Sequence, residues 1–280
     1  EIGSGLVGSE MCIRDRLYTP DDFAKGDISQ GNPDDKYATF RIVLPLEKGV
    51  TYGLSGETAT YAQQVYIDGK LLSEVGKVSD NAEEFVPATD RYTLYFTAQA
   101  DTAEIIIRHA WFNHRTGTIQ KLCLAKAPLI SANDRAQTVS DGLIAGTLLA
   151  MAIFFFGMFL LGNRKRSMMW FSLTCLTAAL HYLIYESKQI GVLFPYLDWY
   201  TEHKLEYITN ILYFVFILLY AFAALGLRPH KHFVVTSICS AGAILLFYIF
   251  TPSTVYTHFT VVAGAVMAVY LIPVSYTHLR

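Results

Sequence analysis

Hydrophobic and polar positions change their rhythm partway along this chain. From Leu17 to about Ala127 the apolar residues come in short runs rich in β-branched and aromatic side chains: TFRIVLPL (Thr39 to Leu46), TYGLSG (Thr51 to Gly56), QQVYIDG (Gln63 to Gly69), RYTLYFTA (Arg91 to Ala98), AEIIIRHAWF (Ala103 to Phe112) and TIQKLCLA (Thr118 to Ala125). These are strand signals. Turn residues separate them at Pro33-Asp34-Asp35, Lys48-Gly49 and Arg115-Thr116-Gly117, and Asp68-Gly69 predicts a tight hairpin between QQVYI and KLLSEVG. Repeated short strands at this spacing predict a sandwich or jelly roll.

After Ser140 the runs lengthen. Leu143 to Gly162, LIAGTLLAMAIFFFGMFLLG, carries no charge over about twenty residues, the length at which a helix crosses a hydrocarbon core. A second run follows from Met168 to Tyr185, a third from about Leu205 to Leu227, a fourth from Phe233 to Phe250, and a fifth begins near Thr260. Phe194, Tyr196, Trp199 and Tyr200 lie among charges between Gly191 and Lys204, as in an interfacial loop with an aromatic belt. Arg164, Lys165 and Arg166 join the first two spans, and Arg228 and Lys231 the third and fourth. Basic short loops face the cytoplasm, so the N-terminal half is expected outside the cell.

Composition agrees with this division. Hydrophobic residues make up 52% of the chain and charged ones 16%, well toward the apolar side of globular usage. Between Leu17 and Ser140 there are sixteen acidic against twelve basic residues, whereas charges are rare beyond Asp141. The net charge of −2 gives no reason to expect a nucleic-acid partner. The cysteines show neither a disulfide framework nor zinc-type spacing, and no cofactor or metal is expected.

The two ends stand apart from both patterns. Ser9 to Arg16 can be encoded by TCG GAG ATG TGT ATA AGA GAC AGG, whose reverse complement translates as PVSYTHLR, the stretch Pro273 to Arg280. That DNA resembles the transposase end and adapter of a sequencing library. Residues 1–16 and 273–280 are therefore expected to be adapter-encoded, with the native termini cut away. The expected organisation is a β domain over 17–128, a linker over 129–140 and a transmembrane bundle over 141–272.

The run VYIDGKLLSEVGKVSDNAEEFVP, then YTLYFTAQADTAEIIIRHAWFNHRTG, followed by the apolar spans, resembles bacterial seven-transmembrane receptors with diverse intracellular signalling modules. The resemblance implies a galactose-binding-like β jelly roll outside the cell, followed by an all-α multi-pass bundle of which about five of seven helices are present. It also implies a cytoplasmic output module, such as a histidine kinase or diguanylate cyclase, beyond this sequence. The expected partners are a small extracellular ligand of the carbohydrate class, the lipid bilayer and a second copy in a homodimer. Rival readings are a membrane transporter and a membrane-anchored carbohydrate-binding protein without signalling output.

Candidate ligand-binding residues are Trp111, Asn113, His114 and Arg115, where an aromatic face adjoins polar groups able to orient a sugar or small anion. Gln64, with Tyr61 and Gln63, is a candidate for the same face. The plainer alternative packs the aromatics in the core and leaves His114 and Arg115 in a solvated turn. In the bundle His181, Glu186 and Glu206 are candidates for membrane coupling, because ionisable groups near a bilayer are costly. A His181–Glu186 pair and a purely structural interhelical hydrogen bond are the two readings there. No hydrolase, metalloprotease or phosphate-loop motif occurs, and acidic pairs such as Asp34-Asp35 and Glu83-Glu84 read as solvated turns, so the fragment is not expected to be an enzyme.

Overall fold

The computed structural model describes residues 28–29, 36–113, 122–162, 164–226 and 231–270. The adapter-like ends and the turns at Pro33-Asp34-Asp35 and Arg115-Thr116-Gly117 lie outside them. The chain divides into two compact units, residues 1–139 and 140–280.

The first unit is a curled, antiparallel, jelly-roll-like sheet of strands β1 (Ile28–Ser29), β2 (Tyr37–Pro45), β3 (Thr51–Ile67), β4 (Lys70–Val75), β5 (Ala88–Thr97), β6 (Thr102–Ala110) and β7 (Leu122–Lys126). The runs TYGLSG and QQVYI are two halves of one strand, β3, 17 residues long. Its first half pairs with β5 and β7, with Leu54 opposite Leu94 and Leu124. Its second half pairs with β4 and β6, giving the order β1-β2-β6-β3-β4. The register shifts between Thr58 and Tyr61, and an irregularity of this kind lets a strand bend from one sheet into the next.

Alternation then decides the core. On β6 Ala103, Ile105, Ile107 and His109 are buried, while Arg108 is exposed. Leu44, Leu54, Val65 and Leu124 close on this row from the other strands. Gly56 is required at its position, because a Cβ there would stand 2.5 Å from the Tyr92 hydroxyl and 2.7 Å from Leu122. Asp68 (φ 49°) and Gly69 (φ 77°) form the hairpin turn with both residues left-handed, the conformation that the Asp-Gly pair favours.

The helices are α1 (Ala127–Leu161), α2 (Arg166–His181, continued by a π-helical turn at Tyr182–Glu186), α3 (Ile190–Leu193), α4 (Trp199–Ala224), α5 (Lys231–Phe250), α6 (Ser253–Tyr256) and α7 (Thr260–Val269). Helix α1, α2 with its π turn, α4 and α5 are each long and apolar enough to cross a membrane. Leu129 to Ser140, which composition marks as connecting segment, is the start of α1. The third span also begins earlier than its apolar run: the Asp198 side chain accepts a hydrogen bond from the Thr201 amide, so the segment from Trp199 is helical rather than loop.

Small and hydroxyl-bearing residues let the helices approach. Ser172, Cys175, Thr177 and Ala179 are the buried side of α2, and Ser172 donates to the Ala152 carbonyl of α1 at 2.7 Å. Large apolar groups on α1 point away from the bundle, with Ile153 74% exposed. A lipid environment accommodates such a surface.

Candidate functional site

Polar groups collect in two places, one in each unit. In the sheet unit the inward-facing row of β6 ends on a histidine. His109 lies between aromatic rings, 4.7 Å from Tyr61 and 5.6 Å from Trp111 between ring centroids. Gln63 and Thr58 are buried nearby on β3. The Tyr92 hydroxyl donates to Gln63 Oε1 at 3.3 Å, and burial pushes that phenol above its ordinary range, keeping its proton on. Neither ring nitrogen of His109 has a hydrogen-bond partner, and neither does Asn113 Nδ2, although all three atoms are buried. Burial without a carboxylate to offset it pushes His109 down to about 4. At neutral pH it is an uncharged imidazole with unused hydrogen-bonding capacity.

Of the ligand candidates, Trp111 packs against His109, Asn113 follows two residues later with its Nδ2 buried and unpartnered, and His114 and Arg115 lie outside the described residues. Gln64 takes the opposite face. It donates to Glu74 at 2.7 Å and accepts from Tyr66 and from Arg108, whose guanidinium also donates to Tyr37 at 2.8 Å. Neighbouring positions on a strand point to opposite sides, so Gln63 is buried opposite His109 in the β3–β6 register and Gln64 is not. His109 was missed in the sequence. Its signal was the inward parity it shares with Ile105 and Ile107.

In the bundle, His181 Nδ1 is 3.2 Å from the Thr209 hydroxyl across the α2–α4 contact. That hydroxyl donates to the carbonyls of Leu205 and Glu206, which leaves its lone pair to accept from the imidazole. The interhelical hydrogen bond of the plainer reading is thus present. Glu186 is exposed at the end of the π turn. The wider winding of that turn accompanies another tie, in which the Tyr182 hydroxyl donates to the buried Asp141 of α1 at 2.8 Å.

Glu206 stands 3.4 Å from His203 Nδ1, one turn earlier on α4. The His203 ring stacks on Trp199 at 4.8 Å, with Tyr207 at 5.0 Å and Tyr256 at 5.7 Å. His203 and its neighbour Glu202 are both buried, and His203 Nε2 has no partner. Glu202, His203 and Asp141 escaped the sequence reading because their partners come from other helices or from turns they share only once folded. Among the described residues no group of histidine, cysteine and acidic side chains could hold a metal ion.

A jelly-roll-like antiparallel sheet followed, among the described residues, by four membrane-length helices defines a multi-pass membrane protein with an N-terminal sheet domain. Residues 137–280, just over half of the sequence, match the model of the 7TM diverse intracellular signalling family. The chain belongs to that family of membrane signalling receptors. No curated protein matches it. Among solved structures, selenomethionine-labelled beta-glucosidase from Kluyveromyces marxianus aligns at 13% identity and a TM-score of 0.24, over 39% of this chain and 13% of that one. A likeness at that level carries no argument about activity.

Proposed function

We propose that this chain is the input half of a bacterial membrane receptor, in which the sheet domain lies outside the cell and senses a small ligand of the carbohydrate class. The observation that carries the ligand reading is the pair of unpartnered buried ring nitrogens on His109 beside the Trp111 ring. An apolar ring face with a few convergent polar groups is the usual make-up of a sugar site. The basic turn at Arg164, Lys165 and Arg166 supports the outside placement of the N-terminal half. Ligand binding shifts a two-state arrangement of the bundle by its difference in affinity for the two states, and a cytoplasmic module beyond this chain reads the shift.

The test is a panel of mono- and oligosaccharides added to the chain in nanodiscs, with melting followed by circular dichroism. A saccharide is expected to raise the melting temperature saturably in the unmodified chain and not in Trp111→Ala. An equal response in Trp111→Ala removes that residue from the site, and no response to any saccharide overturns the carbohydrate class.

A further inference from the structure

The outward face of β4, β3 and β6 carries a fixed positive charge that no acid balances. Glu74, Gln64 and Arg108 are successive partners across these three strands. We propose that this row is a second ligand site, in which Arg108 takes the carboxylate of an acidic sugar and Glu74 accepts a hydroxyl at the sugar's far end.

The guanidinium is held before any ligand arrives. Its Nε–H donates to the Tyr37 hydroxyl at 2.8 Å, Nη1 donates to Gln64 Oε1 at 3.3 Å, and the group lies 5.8 Å from the Tyr37 ring centroid. The Tyr66 hydroxyl donates to the same Gln64 oxygen at 3.1 Å, which turns the amide nitrogen toward Glu74. Tyr66 supports the charged group as well. An exposed arginine ordinarily samples many rotamers, and that freedom is lost when it binds. Here neutral groups have fixed it already, which is the preorganisation that favours binding. The acids of this face are engaged elsewhere: Glu104 pairs with Arg41, and Glu74 accepts from Gln64 Nε2 at 2.7 Å. Among the described residues no carboxylate forms an ion pair with Arg108. Its charge is therefore available, and neither the Tyr37 nor the Gln64 bond uses Nη2.

The chemistry of the row selects among anions. A planar carboxylate set end-on accepts one N–H from each of Nη1 and Nη2, a fork that a lysine ammonium does not offer. Glu74 is exposed two strands away, about 10 Å from Arg108 between Cα atoms at the ordinary spacing of neighbouring strands. A dianion such as phosphate gains Arg108 but brings its second charge toward the Glu74 carboxylate. Acetate reaches one end of the row only. A hexuronate carries a single negative charge at one end and ring hydroxyls at the other, so it bridges Arg108 and Glu74 with its ring along Gln64 and Tyr66. Gln64 and Arg108 lie on the side of the sheet opposite the buried Gln63 and His109, so this site does not depend on the Trp111 cluster.

Binding is measured by saturation-transfer NMR on the full chain in nanodiscs, with D-galacturonate as the probe, D-galactose as its neutral counterpart, and acetate and inorganic phosphate as competitors. Galacturonate is expected to bind saturably, and galactose at least about tenfold more weakly, the scale of one lost charge-assisted hydrogen bond. Arg108→Lys, which keeps the charge and loses the fork, is expected to weaken galacturonate by a similar factor, and Glu74→Ala by a smaller one. Both positions are exposed, so the circular dichroism of each variant is expected to match that of the unmodified chain. No saturable signal from galacturonate, equal binding of galactose, or undiminished binding in Arg108→Lys would overturn the site. Displacement of galacturonate by equimolar acetate or phosphate would overturn the acidic-sugar class, and binding unchanged in Glu74→Ala would remove the hydroxyl contact. Both variants touch only the outward face, so a failure here and a failure of the saccharide panel at Trp111 are separate results.

Discussion

His109 in the sheet unit and His203 in the bundle are about equally buried, at 1% and 4% exposed, and both are stacked among aromatic rings. Their surroundings differ in one respect. His203 has a carboxylate 3.4 Å away, whereas His109 packs against Tyr61 and Trp111 with no acid among the described residues in contact. Burial alone keeps an imidazole neutral, so the first ring serves as an aromatic filler with spare hydrogen-bonding capacity. A carboxylate gives the second ring a partner at Nδ1. The same residue type at the same depth is thus left without a hydrogen-bond partner in one unit and set beside an acid in the other.

The largest effect that separates the units comes from their cores. Ile105→Ala, at a position with no exposed surface, is expected to lower the stability of the sheet unit by about 2–5 kcal/mol. Helical circular dichroism of the bundle should persist through that transition, and loss of both signals together would show one shared core.

His109 gives the next effect, and its sign follows from linkage. The folded value is depressed to about 4 from an ordinary 6.5, so the unfolded chain takes up the proton first as the pH falls. The stability associated with the neutral ring is complete above 6.5 and is lost toward 4, at up to about 1.4 kcal/mol per pH unit. His109→Phe is expected to flatten the denaturation profile across this window, and an unchanged slope would show that His109 is not held neutral.

Smaller still is the interhelical tie at His181. Thr209→Val removes the acceptor and is expected to cost roughly 0.6 kcal/mol, the usual scale for such bonds in membrane bundles, measured by unfolding in mixed micelles. Smallest is Arg41→Ala, which breaks the ion pair with Glu104 on the solvated side of the sheet. It should shift stability by about 0–1 kcal/mol, and a larger loss would mean that this face is covered by something in the folded protein.

Much of this architecture could be read before folding, because it rests on local periodicity. Four of the five apolar runs became helices long enough to span, the fifth being only the ten-residue α7 among the described residues, and Asp68-Gly69 became the turn its residue types favour. What escaped was set by contacts between distant segments. Nothing local announced that TYGLSG and QQVYI are one strand, since the bend between Thr58 and Tyr61 depends on β5 lying alongside. The aromatic surroundings of His203 depend on Tyr256, brought in by the return of α5. The cap at Asp198, which starts α4 before its apolar run, was local yet hidden among the charges and aromatics of an apparent loop. The split between Gln63 and Gln64 was legible yet missed: strand alternation alone sends them to opposite sides, whereas the sequence reading set both on one face.

The receptor account depends most on which side of the membrane the sheet domain occupies. In a cysteine-free background, Asp80→Cys places a thiol at an exposed position of the sheet unit, and Lys165→Cys one in the turn between α1 and α2. A membrane-impermeant maleimide applied to intact cells is expected to label the Asp80→Cys chain at once and the Lys165→Cys chain only after permeabilisation. Labelling in the reverse order would put the sheet domain in the cytoplasm and contradict its role as an outward-facing sensor.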